Sequence, residues 1–324
     1  MARQAFGQTA TGETVDKVTL TGGGLTASII TYGAALQDLR LEGHAAPLVL
    51  GFDNLDGYIN HSPYFGATPG RCANRIGNGR FTLDGTDYQL ELNERGVSHW
   101  KIIGLSPDSG TLEISDAEGR AGYPGTTRTT TTYTLKPEGT LSIVFETTTD
   151  KPTIANVCHH SYFNLDGRDD ILGHDLMIAA DHYTPVDDRL IPTGEIRPVA
   201  GSDFDFREMR PIRQTVDGAQ LGYDHNFCFS SARTDKRSVA LARSVNSGVT
   251  LEVRTTEPGV QFYAGGKVAP EAPGLDGRRY GAFAGFCLET QTWPDAINHK
   301  GFPNAVLRPG EVLRQETDYV FSKS

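Results

Sequence analysis

The sequence predicts an all-β fold, a large sandwich of antiparallel sheets. Three observations predict it. Short runs of alternating apolar and polar residues recur along the 324-residue chain. They are broken by 37 glycines and 17 prolines, enough turn-formers for many short strands. The period of about 3.6 residues that marks an amphipathic helix is nearly absent.

Taken in order, Thr21–Gly24 (TGGG) reads as a turn, because neither GK[ST] nor GxGxxG follows to make it a phosphate loop. Leu25–Ile30 reads as a strand. Brief helical turns are expected near Asn54–Tyr58 and Phe206–Arg210. Arg80–Leu90 carries Asp84-Gly85 between two alternating arms, a hairpin signal. Thr126–Thr149 holds two Thr-rich strands around Pro137-Glu138-Gly139, with the threonines suited to the solvent face of a sheet. Leu141–Glu146, Asp175–Ala179 and Gly259–Tyr263 are further short strands. Val249–Thr256 turns Val249, Leu251 and Val253 inward. No fixed-period repeat favours a propeller. No linker divides the chain, so one domain is expected over residues 1–324.

Hydrophobic residues at 38% and charged residues at 22% mark an ordinary globular protein. The net charge of −10, with Lys and Arg scattered, argues against nucleic acid as a partner. A neutral small molecule fits this balance better than a strongly anionic one. No run approaches the ~18 apolar residues of a membrane span, and the N-terminus lacks the apolar core of a secretory signal. The four cysteines form no CxxC pair and show no metal-like spacing, so they read as buried thiols in a reducing compartment. The cytoplasm is the expected location, and monomer and homodimer stay open.

Five segments concentrate polar groups beside aromatics: Tyr64–Ile76 (YFGATPGRCANRI), His159–Leu165 (HHSYFNL), Gly222–Phe227 (GYDHNF), Thr255–Tyr263 (TTEPGVQFY) and Gly285–Trp293 (GFCLETQTW). Sugar sites have this composition. Aromatic faces cover the apolar side of a pyranose, and Asn, Asp, Gln, Arg and His bond its hydroxyls.

These segments, together with YTPVDDRLIPTGEI at Tyr183–Ile196, DFDFR at Asp203–Arg207 and PDAINH, resemble the blocks of the galactose mutarotase (aldose 1-epimerase) family, in that family's order. The resemblance runs from about Ile30 to Tyr319. It implies a mutarotase-like supersandwich and interconversion of the α and β anomers of a hexose such as glucose or galactose. It also implies roles: His160 as general acid, Glu289 as general base, and Asn74, Arg75, Tyr162, Asp224 and Gln261 as sugar-binding residues. His99 is matched to the family's pocket histidine. Around it the chain reads NERGVSHWKII, without the family's Gly-Gly and Gly-Phe pieces, so the loop is shortened. His159 replaces the family's Asn before His-Ser-Tyr.

The chemistry accounts for an acid and a base. A cyclic hemiacetal opens when its O1–H loses a proton while the ring oxygen gains one, and no metal, redox cofactor or covalent intermediate is needed. The two groups must therefore flank C1, and they are expected on opposite sides of one ring-sized hollow. Histidine suits the acid because its ordinary pKa, about 6.5, leaves both protonation states accessible. Glu289 follows Phe286-Cys287-Leu288, so partial burial should raise its proton affinity.

Plainer readings stand beside these. His160 alone suits a satisfied structural histidine, Asp224 a turn cap, Gln261 a solvated strand residue and Glu289 an exposed strand carboxylate. Arg75 and Arg71 suit ordinary ion pairs, and Trp293 and Tyr162 suit core as well as sugar platforms. His159, His225 and His299 invite a metal reading, but adjacent His159 and His160 point to opposite faces of a strand. The competing functions are a catalytically weak or inactive sugar-binding protein, favoured by the shortened loop, and a glycosidase using Asp224 and Glu289.

Overall fold

The computed structural model describes residues 2–61, 64–92 and 97–324, and most of its regular structure is strand. Three antiparallel sheets organise it. Ala2–Gln8, Thr14–Gly22, Leu25–Ile30 and Ala35–Leu41 form a four-stranded meander. A nine-stranded sheet runs from the edge strand Arg210–Pro211 through His174–Ile178, Arg237–Ser244, Val249–Thr255, Leu313–Lys323, Thr140–Thr149, Thr127–Lys136 and Ser109–Asp116 to Lys101–Leu105. A five-stranded sheet has the order Arg197–Pro198, His182–Thr184, Asp224–Cys228, Gly259–Tyr263, Cys287–Gln291.

Local sequence explains the elements it foretold. Asp84 and Gly85 both take positive φ, 49° and 81°, as a two-residue hairpin turn of the primed type requires. Leu25–Ile30 and Gly259–Tyr263 are strands with those bounds. The turn near Asn54 is a short helix, Leu55–Asn60, whose N-cap Asn54 accepts from the Gly57 amide at 2.9 Å.

Two expectations are corrected. Phe206–Arg210 is not helical. Phe206 is buried, its carbonyl accepts from Ile178, and Arg210 pairs with Leu176 at the sheet edge, so the backbone is already committed to strand partners. The Thr-rich strands keep only alternate threonines, such as Thr130, Thr132 and Thr148, on the solvent face. Thr127, Thr129, Thr131 and Thr147 point inward and are buried. Thr129 and Thr147 pair their hydroxyls at 3.1 Å, which offsets the cost of burying them.

The five-stranded sheet has two unlike faces because side chains alternate along each strand. One face, with Phe227, Val260, Phe262 and Leu288, joins Val253, Tyr319 and Phe321 of the nine-stranded sheet in a cluster reaching back to Val18. Each large side chain buried there contributes about 1.5–3 kcal/mol. Tyr319 also donates its hydroxyl to the Leu288 carbonyl at 3.0 Å. The opposite face carries Asp224, Asn226, Gln261, Tyr263, Cys287 and Glu289 in two cross-strand rows.

Gly66 fixes how the meander meets the segment carrying His160. Its φ is +69°, and a Cβ there would lie 2.1 Å from the Leu36 carbonyl oxygen. Its amide donates to the His160 carbonyl at 3.0 Å, and its own carbonyl accepts from Leu36. Gly66→Ala is therefore expected to cost more than about 1 kcal/mol, combining left-handed strain with a backbone clash. Chemical denaturation reads this; an unchanged midpoint would contradict the close packing.

Candidate active site

Two strand pairings assemble the site. In the five-stranded sheet Asn226, Gln261 and Glu289 stand opposite one another in one row, and Asp224, Tyr263 and Cys287 form the next. His160 comes from outside that sheet. It forms an antiparallel bridge with Ala67, so YFGATPGRCANRI and HHSYFNL are hydrogen-bonded to each other. Further on, Ala73 donates to the Asn156 carbonyl and Asn156 to that of Arg71. Asn74 and Arg75 follow directly.

His160 Nε2 lies 3.5 Å from Glu289 Oε1. The acid and base expected on opposite sides of a hollow thus stand side by side. The chemistry accommodates this, since the two oxygens that exchange protons are both bonded to C1. The imidazole stacks against Tyr64 and Tyr162, with centroids 5.6 and 5.1 Å away. Tyr162 in turn meets Tyr263 edge to face.

Glu289 is almost fully buried. Burial pushes its carboxyl above the ordinary value, and the His160 ring is the strongest opposing influence. The Asp224 charge adds to the rise, while the Cys158 thiol and Arg75 oppose it.

Asp224 is held as an acceptor at the rim. Gln261 Nε2 donates to its Oδ1 at 2.6 Å, and Arg75 stands 3.9 Å from Oδ2. Asn74 adopts a left-handed conformation, φ 63°, and its side-chain oxygen accepts from Arg75 at 3.4 Å. His99 is bridged to Tyr32, next to Gly33, whose carbonyl accepts from Thr68 beside Ala67. That places it one strand pairing away from the His160 bridge. Its Nδ1 is buried with no hydrogen-bond partner among the described residues. Of the shortened loop, Asn93–Gly96 lie outside the described residues.

Other residues settle into structural surroundings. Arg71 is buried against Asp116, the Pro124 carbonyl and Thr153. Trp293 donates to the Pro258 carbonyl and packs on Phe302. His159 faces away from His160's surroundings, shares a 2.7 Å hydrogen bond with Ser161, and burial drives its pKa down to about 3. His225 packs on Phe204 and Tyr183, and burial lowers it to about 4. His299 pairs with Asp295 at 3.2 Å.

Sequence reasoning overlooked Tyr64, Asn226, Tyr263 and both thiols beside the pair. Cys158 Sγ is 3.6 Å from Glu289 Oε2, and Cys287 Sγ is 3.5 Å from His160 Nδ1. The signal was available: Cys158 and His160, like Cys287 and Glu289, are two apart and share a strand face. Among the described residues, His160, Cys287 and Glu289 bring ligand-type atoms within 4.8 Å of one another, the one grouping there suited to a cation.

A surface of this kind, apolar rings and hydroxyl-bonding groups around an imidazole–carboxylate pair, suits a neutral polyhydroxylated ring, and it puts the molecule in the class of carbohydrate-handling β-sandwiches. The chain belongs to the aldose 1-epimerase family, whose model matches residues 16–320. It is 40% identical to the galactose mutarotase of Rattus norvegicus over 339 aligned positions, covering 99% of this chain and 98% of that protein. It is 33% identical to the aldose 1-epimerase of Escherichia coli K12, covering 92% of each. An aldose epimerase homologue from C. elegans superposes with a TM-score of 0.89 at 30% identity, over 95% of this chain and 98% of that one.

The raised Glu289 carboxyl has a stability consequence. A folded-state pKa above the unfolded one stabilises the fold at low pH, and that contribution is lost as pH rises through the folded value. Glu289→Gln has no such loss. Its stability relative to the native chain should therefore increase from about pH 4 upward, read as melting temperatures across pH. A difference that stays flat with pH would contradict the burial argument.

Proposed function

We propose that this protein is an aldose 1-epimerase, an isomerase that interconverts the α and β anomers of a hexose such as glucose or galactose, with Glu289 as general base and His160 as general acid. The observation that carries the reading is the 3.5 Å approach of His160 Nε2 to Glu289 Oε1 on a sheet face rich in hydroxyl-bonding groups. The names of the relatives support the reaction. The geometry supports the assignment of roles.

In this mechanism the sugar lies with C1 against the pair. Glu289 takes the proton from O1–H while His160 delivers one to the ring oxygen, and the C1–O5 bond breaks to give the open aldehyde. Rotation about C1–C2 presents the other carbonyl face. Reclosure with the roles reversed returns both protons and yields the other anomer. Raised proton affinity makes Glu289 a stronger base than an exposed carboxylate, provided that it is ionised. Asp224, fixed by Gln261 and flanked by Arg75, accepts from ring hydroxyls, with Asn74 and Arg75 beside it. Tyr162 covers the ring's apolar side, and His99 borders the pocket. Fixed contacts of this kind hold the ring in reactive alignment.

The chain acts as one unit in this reading, because residues 74 to 289 meet in a single site. Four free cysteines suit the cytoplasm. No helix among the described residues is long and apolar enough to cross a membrane.

Polarimetry of freshly dissolved α-glucose or α-galactose tests the reading. The protein should accelerate mutarotation, and His160→Ala and Glu289→Gln should each lower kcat by about 10²–10⁴-fold. Sugar binding without acceleration would favour a binding protein instead. Asp224→Ala should act chiefly on binding, raising KM by about 10–100-fold, the cost of losing a charge-assisted hydrogen bond. An unchanged KM would remove Asp224 from the hydroxyl contacts.

A further inference from the structure

The two thiols beside the pair are crossed. Cys158 lies two residues before His160, yet its Sγ sits 3.6 Å from Oε2 of Glu289. Cys287 lies two residues before Glu289, yet its Sγ sits 3.5 Å from Nδ1 of His160. Each segment thus supplies one reacting group and one sulfur aimed at the other segment's reacting group. Cysteines that merely filled core would have no reason to meet both polar groups, one apiece.

We propose that Cys158 and Cys287 are positioning residues that act as a reciprocal clamp, Cys287 setting the tautomer of His160 through Nδ1 and Cys158 fixing the rotamer and basicity of Glu289 through Oε2. This rests on the acid–base reading of His160 and Glu289.

The chemistry follows from which atom carries each proton. A neutral imidazole has one donor nitrogen and one acceptor. An S–H directed at Nδ1 leaves the ring proton on Nε2, the nitrogen that faces Glu289 Oε1. That is the tautomer of the resting neutral ring; when the ring becomes the imidazolium that gives up a proton, Nδ1 is protonated too and the sulfur turns from donor to weak acceptor. Both sulfurs are fully buried, and burial raises both thiols well above their ordinary range, with the Glu289 charge adding to the rise. They therefore keep their protons and act as donors, not as thiolates. Tyr64 and Tyr162 already stack on the imidazole plane, so the sulfur contact fixes what stacking leaves free, rotation within that plane.

A thiol is a weak donor. On Oε2 it orients the carboxylate and lowers its proton affinity only slightly, leaving it a useful base. The charged groups acting on Glu289 are His160, Asp224 and Arg75. The phenols of Tyr162, Tyr263 and Tyr319 also lie within its electrostatic reach, and burial keeps all three in the neutral form.

The test uses the full chain with each thiol replaced by Ala and by Ser. Nitrogen-15 NMR reads the His160 tautomer, and the pH profile of mutarotation reads the base. In the native protein His160 should be the Nε2–H tautomer. Cys287→Ala should bring in the Nδ1–H form and lower kcat about tenfold with KM unchanged, the scale of one lost hydrogen bond. Cys287→Ser should restore both. Cys158→Ala should move the acid limb of kcat/KM to higher pH, since a bond that lowers Glu289's proton affinity is gone, and Cys158→Ser should move it back. A native Nδ1–H tautomer, or Ala variants with unaltered tautomer and pH profile, would overturn the clamp. Full turnover in His160→Asn would instead overturn the acid–base reading on which it rests.

Discussion

The site depends on one buried carboxylate. Glu289 sits on a strand whose alternate residues, Leu288 and Thr290, pack into the sandwich, so its side chain cannot retreat to solvent without disturbing the core. Taking a carboxylate out of water is costly unless something nearby answers its charge. Here His160 stands 3.5 Å away, and a thiol donates to the other oxygen. The same burial that makes the group expensive raises its proton affinity, which is the property the proposed base needs.

Holding an imidazole against that carboxylate requires a second piece of chain with independent support. The segment through His160 is clamped from behind by Ala67 and Gly66, whose geometry depends on a residue without a side chain at position 66. From there the same stretch runs on to Asn74 and Arg75, which meet Asp224 at the rim. The four-stranded meander therefore acts through Gly66 on a site to which it contributes no proposed reacting group.

Much of the fold was legible in the sequence because its signals are local. Asp84-Gly85 needs positive φ at two successive residues, and the alternation of Val249, Leu251 and Val253 needs only a strand with one dry face. The failures were non-local. Nothing near Phe206 indicates that its carbonyl will serve Ile178, and nothing in the threonine run shows that the inward positions will pair with one another. The candidate site divided in the same way. The motif residues His160, Glu289, Asp224, Gln261 and Arg75 were named from the sequence, and the structure brings them together. Cys158 and Cys287 were read only as buried thiols in a reducing compartment, since the sequence points to their burial but not to the groups across the interface that they face. The side-by-side approach of His160 and Glu289 also went unread, being a property of two segments more than a hundred residues apart.

The account turns on where the anomeric carbon comes to rest. A crystal structure with glucose or galactose bound measures this directly. The account predicts the ring oxygen within hydrogen-bond reach of His160 Nε2 and O1 within reach of Glu289 Oε1, with ring hydroxyls on Asp224. A sugar bound with C1 turned away from that pair, or held at another surface altogether, would contradict it.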